Sequence, residues 1–256
     1  MSHRPLILVS NDDGVDAAGI VALREALAVL ADVYTVAPEF EQSARSHAIS
    51  LHTTLRHHRY SENVHSIEGT PADCVYVALY RKDLLPRWPD LVVSGINHGA
   101  NLGADVHYSG TVAAAREGAL RGIPSIAFSL LPGGNMELAA RYATEIVGRL
   151  LASPKPSGAT VLLNVNFPPG TPKGVRASVL GKRLYTEGVD VRDDPRGREY
   201  YWIGGPGGVR HEPMEGSDTD AVDAGYVAVT PLRIEATNPD HLGVAAFVAG
   251  PKEESK

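Results

Sequence analysis

A single cysteine, Cys74, in 256 residues leaves this chain no intramolecular disulfide and no cysteine-built metal centre. That thiol reads as a small buried residue in a reducing compartment. No apolar run approaches the roughly 18 residues that span a bilayer, and no signal-type apolar stretch follows Met1-Ser2-His3-Arg4-Pro5. A soluble, cytoplasmic protein without a membrane partner is the expectation. Basic runs are short, Arg56-His57-His58-Arg59 being typical, and 24 basic against 30 acidic residues give a net charge of −6. The footprint of a protein that grips a nucleic-acid duplex is therefore missing. An acidic protein that handles an anionic substrate needs a local cation. Other chemistries are excluded by missing signatures. No G-x-G-x-x-G follows the first apolar run, as a dinucleotide-binding oxidoreductase would require, and neither G-x-S-x-G nor H-E-x-x-H occurs. Asp12 and Asp13 are adjacent, so the D-x-D of an aspartyl-phosphate phosphatase is missing there too.

What the chain has is concentrated first in Leu6-Ile7-Leu8-Val9-Ser10-Asn11-Asp12-Asp13-Gly14. Leu6 to Val9 predicts a buried strand, and the polar cluster lies where that strand would end. Adjacent carboxylates raise each other's pKa, a conflict that a divalent metal removes by taking an oxygen from each. Asn11, Asp12 and Asp13 would serve equally well as turn and capping residues. At this point the two readings are level. Gly14 permits a tight turn, and Ala17 to Leu30 predicts a helix.

Asp32 to Ala37 predicts a second strand, stopped by Pro38, and the loop Glu39 to Ser46 carries Ser43. A hydroxyl there could ligate a metal or bond a phosphate, although a lone loop serine is more often merely solvated. Ile49 to His58 and Val64 to Glu68 suggest a β excursion. Gly69-Thr70-Pro71-Ala72-Asp73 is a capped helix start, with Asp73 completing a capping box. Its first N–H groups could also face an anion, but capping explains the pattern by itself. Asp90 to Gly95 predicts a strand that feeds the glycine-rich segment Gly95-Ile96-Asn97-His98-Gly99-Ala100-Asn101-Leu102-Gly103. Glycine lets backbone approach a ligand closely, so this segment makes a better site wall than a core. Val112 to Arg121 predicts a helix closed by Gly122 and Pro124, which puts Ser109-Gly110-Thr111 at a helix N-terminus. Unsatisfied N–H groups, the dipole and two hydroxyls there suit a phosphate, and plain capping is compatible with that role. Pro124 to Phe128 and Val161 to Phe167 predict further strands around a long helix, Asn135 to Leu151.

Alternating strand and helix calls for an α/β protein with a Rossmann-like, three-layer, mostly parallel sheet. We take residues 1–170 as that catalytic core and 171–256 as a β-rich extension. In the extension, Val175 to Tyr185 and Tyr226 to Leu232 predict strands, and Asp190 to Gly216 a long hairpin or mobile loop. Tyr200, Tyr201 and Trp202 could pack on a partner subunit or on a nucleobase, subunit packing being the preferred reading, and Gly250 to Lys256 reads as a disordered polar tail. Ligands of open α/β sheets bind outside the carboxyl ends of the strands, where Asp12, Asp13, Ser43, Asn97 and Ser109 to Thr111 all fall. Carboxylate, hydroxyl and amide oxygens suit a hard cation such as Mg²⁺ or Mn²⁺. One such ion beside a phosphate seat supports phosphomonoester hydrolysis. A metal-dependent nucleotide sensor would use the same residues.

Asn11-Asp12-Asp13-Gly14, the Ser43 loop, Gly69 to Cys74, Ser94 to Gly103 and Tyr108-Ser109-Gly110-Thr111-Val112 together resemble the SurE survival-protein nucleotidases, in order and spacing. Leu163 to Pro168 and Gly225 to Leu232 are similar to later blocks of that family. The resemblance implies a divalent-metal-dependent nucleotidase acting on nucleoside 5′- and 3′-monophosphates, with short polyphosphate as a further substrate in some members. It implies Asp12, Asp13, Ser43 and Asn97 as ligands of one Mg²⁺ or Mn²⁺. Asp12, Asp13 and Asn11 would be the catalytic groups, Asn11 orienting water or substrate. Ser109, Gly110 and Thr111 would hold phosphate, with Asn11, Asn97, Gly99 and Asn101 completing the substrate surface. It implies a homodimer or homotetramer with exchanged C-terminal parts, and so makes the extension, 171–256, an oligomerisation arm. Ala44 departs from the family, which commonly has glycine there.

Overall fold

The computed structural model describes residues 4–154, 158, 160–186, 188–204 and 208–250. Its first strand, β1 (Leu6–Ser10), is buried along its whole length because both faces are covered. Ile7 and Val9 pack into one hydrophobic cluster and Leu8 into another, which is why the segment is continuously apolar rather than alternating. On one side of β1 lies β2 (Asp32–Pro38), then β4 (Val64–Ile67), both parallel, with the short β3 (His57–Arg59) antiparallel at the edge. On the other side come β5 (Leu91–His98), β6 (Ser125–Leu130) and β7 (Leu162–Phe167), again parallel.

Helices α1 (Ala18–Leu27) and α4 (Met136–Ala152) cover one face, through Ile20, Leu23, Ala143 and Val147. The other face takes α2 (Pro71–Tyr80) and α3 (Gly110–Leu120), with Cys74 fully buried beneath α2. The contact of α1 with β5 is close. A Cβ on Gly19 would lie 1.9 Å from the Ile96 carbonyl oxygen, so no side chain fits there. The chain moves outward from β1 to β4, then returns past β1 to β5 and moves the other way. This reversal between β1 and β5 opens a crevice at their carboxyl ends, the place where doubly wound sheets bind ligands.

The extension does not stay apart from this sheet. Strand β13 (Val227–Pro231), within the expected Tyr226 to Leu232, pairs antiparallel with β7, and β8 (Val175–Ala177) pairs parallel with β13, giving nine strands in all. The segment expected as one strand from Val175 to Tyr185 is broken. Its second part, β9 (Lys182–Leu184), joins β12 (Arg210–Glu212) in a separate ribbon. The break follows from local bonding, because Gly181 donates its N–H to the Asp218 carboxylate rather than to a neighbouring strand. Between them, β10 (Val189–Asp193) and β11 (Glu199–Ile203) form the expected hairpin.

Of the expected β excursion, Val64 to Glu68 is borne out as β4, while Ile49 to His58 shrinks to β3. Its earlier part is held by the α2 cap instead, Ser50 donating to Asp73 and the Ala48 carbonyl accepting from Thr70. Two helices went unforeseen, α5 (Asp218–Asp223) and α6 (Leu242–Ala249). Of the expected polar tail only Gly250 lies within the described residues. Among the described residues no helix is long and apolar enough to cross a membrane.

Candidate active site

The turn after β1 is built by its own side chains. Asn11 is buried and its Nδ2 donates to the Gly14 carbonyl at 2.7 Å, closing a tight turn that Gly14 completes at φ +107. The Asn11 Oδ1 is left buried and without a partner. Asp12 follows at 4% exposure, its carboxylate accepting from the Thr111 hydroxyl at the start of α3. Burial raises the Asp12 pKa to about 6, against the Thr111 hydrogen bond, and the neighbouring Asp13 charge adds to the rise. Asp13 is half-buried, shifted upward by burial and then by Glu41, and accepts from the His98 N–H at 3.2 Å. Neither carboxylate has an ion-pair partner among the described residues. Two adjacent, unpaired and partly desolvated carboxylates are costly in a fold unless a cation meets them.

The approach of α3 to Asp12 depends on Gly110. A Cβ at that position would sit 2.7 Å from the Asp12 Cβ and 2.9 Å from its Oδ2, so only glycine lets the helix start come this near. Ser109 caps α3, its hydroxyl accepting from the Val112 N–H at 3.0 Å, and Thr111 is fully buried against Asp12. The first-turn N–H of Gly110 is one that a helix cannot satisfy internally.

From β2, the loop carrying Ser43 is drawn to the same place by the Gln42 N–H, which donates to the Asp12 carbonyl at 2.8 Å. The Ser43 hydroxyl donates to Glu41 at 2.8 Å, which leaves its lone pairs free. Ala44 adopts φ +57, the left-handed region that glycine occupies without strain, which accounts for a glycine preference at this position. From β5, the Asn97 Nδ2 donates to the Gly99 carbonyl at 2.9 Å, leaving Oδ1 as its uncommitted atom. Asn101 is turned inward instead. Its Nδ2 donates to Ser129, and its backbone carbonyl accepts from both Asn164 and Asn166.

These segments surround an open cavity of about 590 Å³. Asp12, Ser43, Asn97, Gly99, Asn101 and Ser109 line it, while Asn11, Asp13, Gly110 and Thr111 support that lining from the turn and the helix start. No three His, Cys, Asp or Glu side chains converge among the described residues. A cation here would have to be held by the two carboxylates with hydroxyl and amide oxygens.

Sequence reasoning missed the wall that the extension supplies. Arg183 and Tyr185, brought by β9, line the same cavity as Asp12, and both bind Asp105. Arg183 also donates to the Ala100 carbonyl at 3.3 Å. Its charge is met by Asp105, so it is not a free cation for an anionic substrate. A signal existed, since residues two apart on a strand share a face. Nothing local, however, says which face meets the cavity.

The family model described as "Survival protein SurE" matches residues 7–187. Among curated relatives, the 5′-nucleotidase SurE of Sorangium cellulosum is 54% identical over 249 residues, covering 96% of each chain. That of Myxococcus xanthus is 50% identical over 247 residues, covering 94% of this chain and 93% of the relative. Among solved structures, the SurE protein from Aquifex aeolicus is similar with a TM-score of 0.84 at 39% identity, over 96% of this chain and all of that one.

Proposed function

Since the chain belongs to the SurE family, we propose that it is a phosphomonoesterase that hydrolyses nucleoside 5′-monophosphates to nucleoside and phosphate. The observation that carries this reading is the unpaired acidic turn after β1 meeting the start of α3 across one cavity. The names of the relatives, 5′-nucleotidase in each case, point the same way. Activity on 3′-monophosphates and on short polyphosphate belongs to the same proposal, since an open cavity lets a phosphate enter with either ribose carbon behind it.

We assign one Mg²⁺ or Mn²⁺ to Asp12, Asp13, Ser43 and Asn97. The fit rests on the donor set, two carboxylates without a counter-charge, a hydroxyl with free lone pairs and an amide with a free oxygen. All are hard oxygen ligands. When bound, such an ion supplies charge neutralisation at the phosphoryl oxygens and makes water more acidic. The chain does the rest. Ser109, Gly110 and Thr111 present the positive end of α3 to the phosphate, and Thr111 fixes the orientation of Asp12. Asn11 offers its unpartnered Oδ1 to orient the attacking water or the substrate, and Gly99 and Asn101 complete the wall.

A homodimer or homotetramer with exchanged C-terminal parts is part of the proposal. It is supported by the apolar exposure of α6 and of Tyr200, Tyr201 and Trp202 on β11. A cytoplasmic setting is supported by the unpaired, buried Cys74.

The test is turnover of AMP by the purified chain with EDTA, with Mg²⁺ or Mn²⁺ restored, and in Asp13→Asn. Chelation should silence the enzyme and either cation restore it. Asp13→Asn should cost about 100-fold or more in kcat, the scale of removing one electrostatic group from a reacting centre, with the melting temperature unmoved. Full turnover in chelator, or an undiminished Asp13→Asn, rejects the metal assignment. Absence of AMP turnover under every cation rejects the nucleotidase.

A further inference from the structure

The cavity wall supplied by β9 carries more order than phosphate hydrolysis requires. Tyr185 stands there at the end of β9 with its hydroxyl donating to the Asp105 Oδ2 at 2.7 Å. Burial, together with that carboxylate, pushes the phenol pKa up to about 12, so the ring stays neutral and keeps donating. The guanidinium of Arg183 lies 5.4 Å from the ring centroid and is itself tied to Asp105 and to the Ala100 carbonyl. A side chain held at its tip and beside its ring has few rotamers left. Yet Tyr185 remains 51% exposed, and it lines the cavity. The pair beneath it is electrically balanced, because Asp105 offsets the charge of Arg183. This wall is therefore poorly suited to a second phosphate and well suited to a flat, neutral, aromatic group.

We propose that Tyr185 is the nucleobase platform of this site, the base of the substrate stacking on its exposed ring while the phosphate lies at Ser109 to Thr111. The inference rests on the nucleotidase reading and deepens it, by making a nucleoside, rather than any phosphomonoester, the preferred substrate. A purine, with the larger π-face, is favoured over a pyrimidine. Because the ring is already immobilised by Asp105 and Arg183, little further rotamer entropy is lost when a base settles on it. Base–aromatic stacking is worth roughly 1–3 kcal/mol, or about 5- to 150-fold in affinity.

The experiment compares AMP with ribose 5-phosphate, which keeps sugar and phosphate but has no base. In the unaltered chain AMP should have the higher kcat/KM, by about tenfold or more. Tyr185→Ala should raise KM for AMP by about tenfold while kcat shifts by no more than about threefold, so that the AMP to ribose 5-phosphate ratio collapses toward one. Tyr185→Phe keeps the ring and should recover most of that ratio, which loss of the Asp105 tie alone would not allow. The platform is overturned if both substrates fall in parallel in Tyr185→Ala. It is equally overturned if Tyr108→Ala, at the other exposed aromatic ring of the cavity, removes the base preference and Tyr185→Ala does not. Equal turnover of the two substrates by the unaltered chain rejects the platform while leaving a phosphomonoesterase standing. Turnover of neither rejects the nucleotidase reading, and the platform with it.

Discussion

Glu117 shows how a single buried side chain ties this molecule's stability to pH. It is almost fully buried on α3, yet its carboxylate meets the His47 Nε2 at 2.9 Å and the Arg121 Nη2 at 2.7 Å. Burial alone would raise its pKa. The hydrogen bonds from His47 and Arg121 outweigh that, so the folded value lies below the ordinary 4.5. Arg121 in turn sits 5.3 Å from the Tyr76 ring centroid and 5.7 Å from that of Tyr80, which anchors the cation. A depressed carboxylate contributes stability that is present above its unfolded pKa and lost as pH falls through the folded one. Thermal melting from pH 7 to pH 3 should therefore show a gap between the unaltered chain and Glu117→Gln that is constant near neutrality and closes below 4.5. A gap that stays constant down to pH 3 would contradict the shift. Glu117 was invisible in the sequence, where a helical glutamate near an arginine four residues on reads as a solvated surface pair.

Among the elements, α5 decides how the extension reaches the site. Its first residue, Asp218, is fully buried and accepts from the Gly103 N–H at 3.0 Å, the Gly181 N–H at 2.7 Å and its own Thr219 N–H. One carboxylate thus joins the segment after β5, the strand that carries Arg183, and the helix itself. Packing leaves no slack, since a Cβ on Gly103 would come 2.5 Å from the Gly181 carbonyl oxygen. Asp218→Ala would leave buried N–H groups unpaired at about 1–3 kcal/mol each. A loss of about 3 kcal/mol in urea denaturation is expected, along with weaker AMP turnover as β9 loosens. A loss below about 1 kcal/mol would mean that water replaces the carboxylate and that α5 is not the tie. The helix escaped prediction because six residues with three carboxylates carry no apolar periodicity. Elements with strong local signals fared better. Thr70 and Asp73 form both bonds of the capping box, and β1, α4 and β7 lie within a few residues of their predicted limits.

For the molecule as a whole, α6 poses the problem that the other elements do not solve. Its eight residues are apolar on every side, and Leu242, Val244, Phe247 and Val248 are 60%, 63%, 87% and 78% exposed. A helix apolar all round belongs in a core, not in water. Covering four such side chains is worth roughly 6–12 kcal/mol before the cost of association. Deleting residues 236–256 should therefore lower the mass measured by light scattering at micromolar concentration from an oligomer to a smaller species. An unaltered chain that is already monomeric there would remove the argument for subunit exchange.

Local chemistry in the chain determined much on its own. The buried β1, the acidic turn at its end, the capped starts of α2 and α3 and the alternation of strand and helix all rest on neighbours within a few residues. Such contacts are encoded where they occur. The convergence of the loops at the carboxyl ends of the strands followed from that alternation, whereas the tertiary structure alone decided that the chain reverses between β1 and β5. It also decided that β13 enters the sheet antiparallel beside β7, and that Arg183 and Tyr185 line one cavity with Asp12 from more than 170 residues away. The reason is physical. Register and facing across such distances are set by packing and by bonds such as those of Asp218 and Gly181, whose partners have no fixed spacing in sequence.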